Sequence, residues 1–109
     1  MCGIFALLNA SYENNSLESE KKMIEQFEKG KRRGPDNSTL QSHYLQLTLG
    51  FHRLAINGLN EASNQPLVFE NIVLICNGEI YNYKKLYECI DAKNTTNSDC
   101  EVIIYLYIT

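Results

Sequence analysis

Nowhere does this 109-residue chain hold the ~20 consecutive apolar residues that a membrane-spanning helix needs. Its N-terminus also lacks a basic stretch ahead of an apolar one, so neither a span nor a secretory leader is expected. Positive charge is in the minority: 10 Lys and Arg against 13 Asp and Glu leave a net charge of −3. That is no footprint for nucleic acid or for an anionic membrane. The four cysteines, at 2, 76, 89 and 100, include no Cys-x-x-Cys pair, and His43 and His52 have no partner at metal-ligand spacing. A reduced, metal-free protein of the cytoplasm is therefore expected. Repeats, low-complexity tracts and linkers are missing too. With 44% hydrophobic and 21% charged residues, what remains is one small globular domain able to bury a modest core.

Along the chain, Cys2 to Asn9 is an apolar run that reads as a buried strand. Asn15 is placed to cap a helix, with Glu18 completing a capping box. Leu17, Ile24 and Phe27, with Met23 alongside, form its apolar face. Gly30 follows, where a left-handed cap suits glycine. Thr39 to Ile56 reads as extended segments, with Leu45, Leu47 and Leu49 alternating at period two. A polar loop, Asn57 to Asn64, leads to Gln65-Pro66-Leu67. Asn71 to Cys76 is a central-strand candidate, and residues 82–92 and 98–108 read as helices. Val102 to Ile108 is apolar on every face, which suits a helix buried on all sides.

Cys2 directly follows the initiator Met1. A residue this small at position 2 usually allows the methionine to be removed, leaving a thiol and a free α-amine on one residue. Thiols titrate near ~8.5 and α-amines near ~7.7–8.0, so the two groups can exchange a proton at neutral pH. An N-terminal amine serving its own nucleophile is a known form of activation. Other motifs carry a plain and a chemical reading. Asn77-Gly78 is a strong hairpin signal, but the helical pattern after it argues against a returning strand. Alternatively, the Asn77 amide and the Gly78 N–H can converge on a tetrahedral oxyanion. Ser98-Asp99-Cys100-Glu101 makes an ordinary capping box, which leaves the Asp99 carboxylate able to hold a ligand ammonium. Arg53 can be a solvated surface arginine or a fork for a free carboxylate. Arg33-Gly34-Pro35-Asp36 reads as a turn.

In order, Met1-Cys2-Gly3-Ile4-Phe5, Arg33-Gly34-Pro35-Asp36, Phe51-His52-Arg53-Leu54-Ala55-Ile56, Gln65-Pro66-Leu67, Asn77-Gly78-Glu79-Ile80-Tyr81-Asn82 and Ser98-Asp99-Cys100-Glu101-Val102-Ile103 resemble one family. It is the N-terminal class II glutamine amidotransferase domain of the glutamine-hydrolysing asparagine synthetases. The resemblance implies an α+β fold, the αββα sandwich of N-terminal nucleophile hydrolases. It implies Cys2 as the nucleophile attacking glutamine, its α-amine as proton shuttle, and Asn77 and Gly78 as oxyanion donors. Arg53 would bind the substrate α-carboxylate. Asp99 and the region of Glu79 would hold its α-amine, and backbone at Ile56 and Asn57 would line the pocket.

The chain departs from the family pattern at Arg32, where His is frequent, and at Asn57-Gly58, where Val-Asp is common. Cys76 stands where sugar-phosphate and purine-pathway amidotransferases usually carry histidine. In the family the domain runs on past residue 109 and a synthetase domain follows. Residues 1–109 are thus expected to be the N-terminal portion of the amidotransferase domain, with no cofactor of their own. ATP and Mg belong to the synthetase domain. The expected partners are glutamine and the remaining polypeptide, in cis or in trans. A non-catalytic fragment that binds glutamine or a partner subunit is the alternative reading.

Overall fold

A computed structural model describes residues 1–8, 17–44, 46–55 and 60–109. Strand β1 (Gly3–Leu8), helix α1 (Leu17–Glu28), and strands β2 (Asn37–His43) and β3 (Leu47–Arg53) make the first layer pair. The three strands form an antiparallel sheet in the order β1-β3-β2, with Gly3 opposite His52 and Asn37 opposite Arg53. Strand β4 (Leu67–Phe69) and strand β5 (Ile72–Leu74) pair antiparallel around a turn whose Glu70 has φ 51°. Helix α2 (Tyr83–Ile90) follows, then a 3₁₀ turn (Asp99–Glu101) that runs directly into helix α3 (Val102–Ile108). The α+β content expected from the sequence is present.

One residue docks α1 on the sheet. Phe27 is 4% exposed, meets the Phe5 ring edge-on at 5.8 Å and stacks on the His52 imidazole at 4.1 Å. Burying such a ring stabilises by roughly 1.5–3 kcal/mol. His52 is itself 1% exposed. Its Nε2 lies 2.8 Å from the Phe27 carbonyl and its Nδ1 2.7 Å from Ser38 Oγ. Facing a carbonyl, Nε2 must donate, which in the neutral ring leaves Nδ1 to accept the Ser38 hydroxyl proton.

The second half is held by an aromatic row that joins β4 to both helices. Phe69 meets Tyr105 at 5.5 Å, Tyr105 meets Tyr87 at 5.7 Å, and Tyr87 meets Tyr83 at 6.4 Å. Such pairs add about 0.5–1.5 kcal/mol each beyond their area. Burial first, and the nearby Glu101 carboxylate second, push the Tyr87 hydroxyl pKa well above its ordinary value. The two halves touch at the hairpin ends, where Tyr44 Oη donates to the Asn71 carbonyl at 2.5 Å.

Several sequence expectations change. On α1, Leu17 and Ile24 are 88% and 42% exposed, so Phe27 alone of the expected apolar face is buried. The Asn15 cap and Leu45 lie outside the described residues. Gly30 has φ −81° and ψ −9°, a right-handed conformation. Its role is closeness, since a Cβ there would sit 2.9 Å from the His52 ring. β1 is an edge strand of its sheet, and Ile4 and Leu8 are 49% and 65% exposed on the face away from α1. The expected central strand shortens to Ile72–Leu74 in a two-stranded sheet. Helix α3 buries Val102 and Ile104, while Leu106, Tyr107 and Ile108 stay exposed. No helix among the described residues is long and apolar enough to cross a membrane.

Candidate active site

Cys2 immediately precedes β1, and it is held by the chain that leaves β3 and the chain that enters β2 at the same end of the sheet. Leu54, just past β3, donates its N–H to Cys2 Sγ at 3.3 Å, and its carbonyl lies 3.5 Å from the same sulfur. Arg33 Nε donates to the Cys2 carbonyl at 3.2 Å. The rest of the Arg33–Asp36 motif clamps the end of β3. A Cβ on Gly34 would lie 2.1 Å from the His52 carbonyl oxygen, so only glycine fits that approach. Asp36 donates its N–H to the Arg53 carbonyl at 2.9 Å, and its Oδ2 accepts the Ala55 N–H at 2.8 Å. What the sequence suggests is a turn is a brace behind the cysteine.

Cys2 opens onto a cavity of about 310 Å³ that Arg53, Asn77, Gly78, Glu79 and Asp99 also line. This volume is at the small end for ligand pockets and suits a free amino acid. Arg53 is 7% exposed, which rules out the surface reading. Its Nη1 donates to the Asn60 carbonyl at 3.1 Å and to Asn64 Oδ1 at 2.6 Å. Asp99, equally buried, uses Oδ2 to accept the Ile80 N–H at 2.5 Å. One oxygen of that carboxylate thus holds the loop after Gly78. Gly78 is exposed, and a Cβ there would meet nothing within 4 Å. Among the described residues no neighbour crowds that position, and Gly78 lines the cavity. A cation and an anion stand on one cavity with a thiol and an Asn-Gly pair, which is a surface complementary to a zwitterion bearing a reactive carbonyl.

The sequence model of one family, described as "Glutamine amidotransferase domain", matches residues 1–109. The chain belongs to the glutamine amidotransferase domain family. Relatives to which it is similar include a "Probable asparagine synthetase [glutamine-hydrolyzing]" of Dictyostelium discoideum, 46% identical over 98% of this chain and 20% of that protein. An "Asparagine synthetase [glutamine-hydrolyzing]" of Asparagus officinalis is 43% identical over 98% of the chain and 18% of its own length. A third, from Acanthamoeba polyphaga mimivirus, is 37% identical over 98% and 20%. The chain therefore spans about a fifth of the length of the curated relatives it matches.

In this amidotransferase domain, every expected site residue that falls within the described residues lines the one cavity; Ile56 and Asn57 fall outside them. The capping box is not formed. Ser98 makes no side-chain cap, and Glu101 turns back to accept from both the backbone and hydroxyl groups of Thr95 and Thr96. Burial alone would raise its pKa, but those hydrogen bonds outweigh it and hold the Glu101 carboxyl below the usual range. Carboxylate acceptors found two backbone N–H donors and two hydroxyls in a nearby turn, a better offer than the single N–H of the box.

Cys76 and Cys100 join Cys2 on the cavity wall. Cys100 Sγ lies 3.5 Å from the Gly78 carbonyl, and burial, then its contact with Cys76, raise its pKa well above the usual thiol range. It therefore stays protonated. Among the described residues no three His, Cys, Asp or Glu side chains are grouped as metal ligands. Asn64 and Gln65 carry no sequence signal for the contacts they make, although Gln65-Pro66-Leu67 stands out as a motif.

Proposed function

We propose that this chain carries the glutaminase site of a larger enzyme, hydrolysing glutamine to glutamate and ammonia with Cys2 as nucleophile. The observation that carries the reading is the shared cavity: the Cys2 thiol, the Asn77-Gly78 pair, the buried Arg53 and the buried Asp99 around about 310 Å³. Met1 is 75% exposed and open to an aminopeptidase, whose action would free the Cys2 α-amine. The amine then takes the thiol proton as Sγ bonds to the side-chain carbonyl carbon of glutamine. The carbonyl π electrons move to oxygen, and the Asn77 amide and Gly78 N–H donate to that oxyanion. As it collapses, the C–N bond breaks and the shuttled proton leaves with ammonia, giving a thioester. Water attacks the thioester, the C–S bond breaks, and glutamate and the Cys2 thiol are restored. Arg53 and Asp99 hold the two charged ends of the substrate, with Glu79 at the mouth.

The ammonia released would serve ATP-dependent formation of asparagine from aspartate on a synthetase domain; the relatives carry the name glutamine-hydrolysing asparagine synthetase. The 109 residues themselves need no cofactor for this chemistry. The exposed apolar faces of β1 and α3 fit a sandwich in which further polypeptide supplies the missing layer. Three thiols around one cavity suit a reducing compartment such as the cytoplasm. The test is a glutaminase assay with Cys2→Ala beside N-terminal sequencing of the wild type. Hydrolysis from a chain beginning at Cys2, abolished by the substitution, is expected. Turnover that survives Cys2→Ala would remove the mechanism.

A further inference from the structure

Strand β5 ends at Leu74, two residues short of Cys76, so the backbone that delivers Asn77 and Gly78 has already left its ladder. A side chain replaces the missing strand. Gln65 Oε1 accepts the Cys76 N–H at 2.6 Å, and Gln65 Nε2 donates to the Cys76 carbonyl at 3.1 Å. A carboxamide carries a donor and an acceptor side by side, so it can satisfy an N–H and a C=O of one residue together. Gln65 is 6% exposed, so water competes poorly for either bond. The far end of the same loop is tied at Ile80 to Asp99 Oδ2. Asn77, Gly78 and Glu79 are thus suspended between two side-chain anchors.

The residue before Gln65 does a parallel job on the other half of the site, since Asn64 Oδ1 accepts from Arg53 Nη1 at 2.6 Å. Ser63 joins the third part: its Oγ accepts the Asn97 N–H at 3.3 Å, two residues from Asp99. One short segment therefore reaches the oxyanion loop, the arginine and the aspartate. We propose that Gln65 is the positioning residue for the oxyanion donors and Asn64 the positioning residue for Arg53, so that adjacent side-chain amides set turnover and substrate capture separately. The kinetic part of this proposal rests on the glutaminase reading above; the structural part does not.

The test uses the full-length polypeptide carrying these residues, with Gln65→Ala, Gln65→Glu and Asn64→Ala. Gln65→Ala is expected to lower kcat about 100-fold, as loss of an oxyanion donor does, with KM within a factor of about three. Asn64→Ala is expected to raise KM about tenfold or more and to leave kcat near wild type, as loss of a hydrogen bond to a charged group implies. In Gln65→Glu the ionised carboxylate faces the Cys76 carbonyl. Its deficit in kcat relative to wild type should therefore narrow as pH falls and the introduced carboxyl gains a proton to donate. Equal kcat and KM effects from Gln65→Ala and Asn64→Ala, or a pH-independent Gln65→Glu deficit, would overturn the division of labour. Amide hydrogen exchange reads the anchor without turnover: Gln65→Ala should expose the Cys76 amide while the Phe27 region stays protected. An unchanged Cys76 amide would overturn the proposal even if the wild type hydrolysed glutamine. Exposure of that amide in a protein without glutaminase activity would keep the anchor and sink only the glutaminase reading.

Discussion

The two halves of the molecule hold their functional groups by different means. From β1 to β3 the chain is fixed by a continuous antiparallel ladder and by one aromatic plug, Phe27 on Phe5 and His52. Cys2 and Arg53 sit at the ends of those strands, and ordinary sheet geometry brings them together. From Asn60 onward regular structure is short, and side chains do the fixing: Gln65 on Cys76, Asp99 on Ile80, Glu101 on Thr95 and Thr96. Cys2 thus stands at the end of a backbone ladder, and the loop of residues 77–79 hangs on side-chain hydrogen bonds. The first arrangement spreads placement over many backbone hydrogen bonds. The second gives fine placement, but each anchor is a single point of failure.

The largest effect expected is a break of the first half by His52→Ala. The substitution leaves the Phe27 carbonyl and Ser38 hydroxyl without their ring partner and opens space under α1, costing about 3–5 kcal/mol of global stability. Chemical denaturation should show the loss. A cost under about 1 kcal/mol would mean that the ladder alone carries this half. Next comes Asn77→Ala in the second half, expected to cut kcat about 10²–10³-fold while the denaturation midpoint stays put. Arg53→Ala and Asp99→Asn should each weaken glutamine binding by roughly 1.5–3 kcal/mol, measured by titration. Asp99→Asn can still accept the Ile80 N–H, so its loss should be in binding and not in folding.

The smallest effect is electrostatic and belongs to Glu101. Its folded pKa lies below the ordinary value of 4.5, so its charge stabilises the fold above that pH. The contribution is lost as pH falls through the lowered folded value. Wild type should exceed Glu101→Gln by about 1 kcal/mol near neutral pH, the difference between charged and neutral acceptors, and the gap should close in acid. A gap that widens as pH falls would reverse the assignment.

The contrast between the halves also explains what the sequence reveals. The strands around Leu47–Arg53 and the helix ending near Phe27 follow from periodicity, because ladder and plug are built from regular spacing. Cys2, Arg53, Asn77, Gly78 and Asp99 stand out because thiol, guanidinium, amide and carboxylate are rare enough to be noticed in motifs. The anchors were hidden. Gln65 meets Cys76 across 11 positions, a distance no local pattern encodes. Glu101 matched a capping box by spacing, and a neighbouring threonine pair outbid it. Val102 to Ile108 looked buried all round because apolar composition does not say how many layers surround a helix.

The most direct test of the central claim, that one cavity gathers these groups around Cys2 for attack on glutamine, exploits the three thiols on its wall. The protein is treated with an electrophile shaped as glutamine, and the adduct is mapped by mass spectrometry with and without excess glutamine. A single adduct on Cys2, suppressed by glutamine and greatly slowed by Arg53→Ala, is the expected result. Labelling spread over Cys76 and Cys100, or labelling of Cys2 that glutamine and Arg53→Ala leave unchanged, would contradict it.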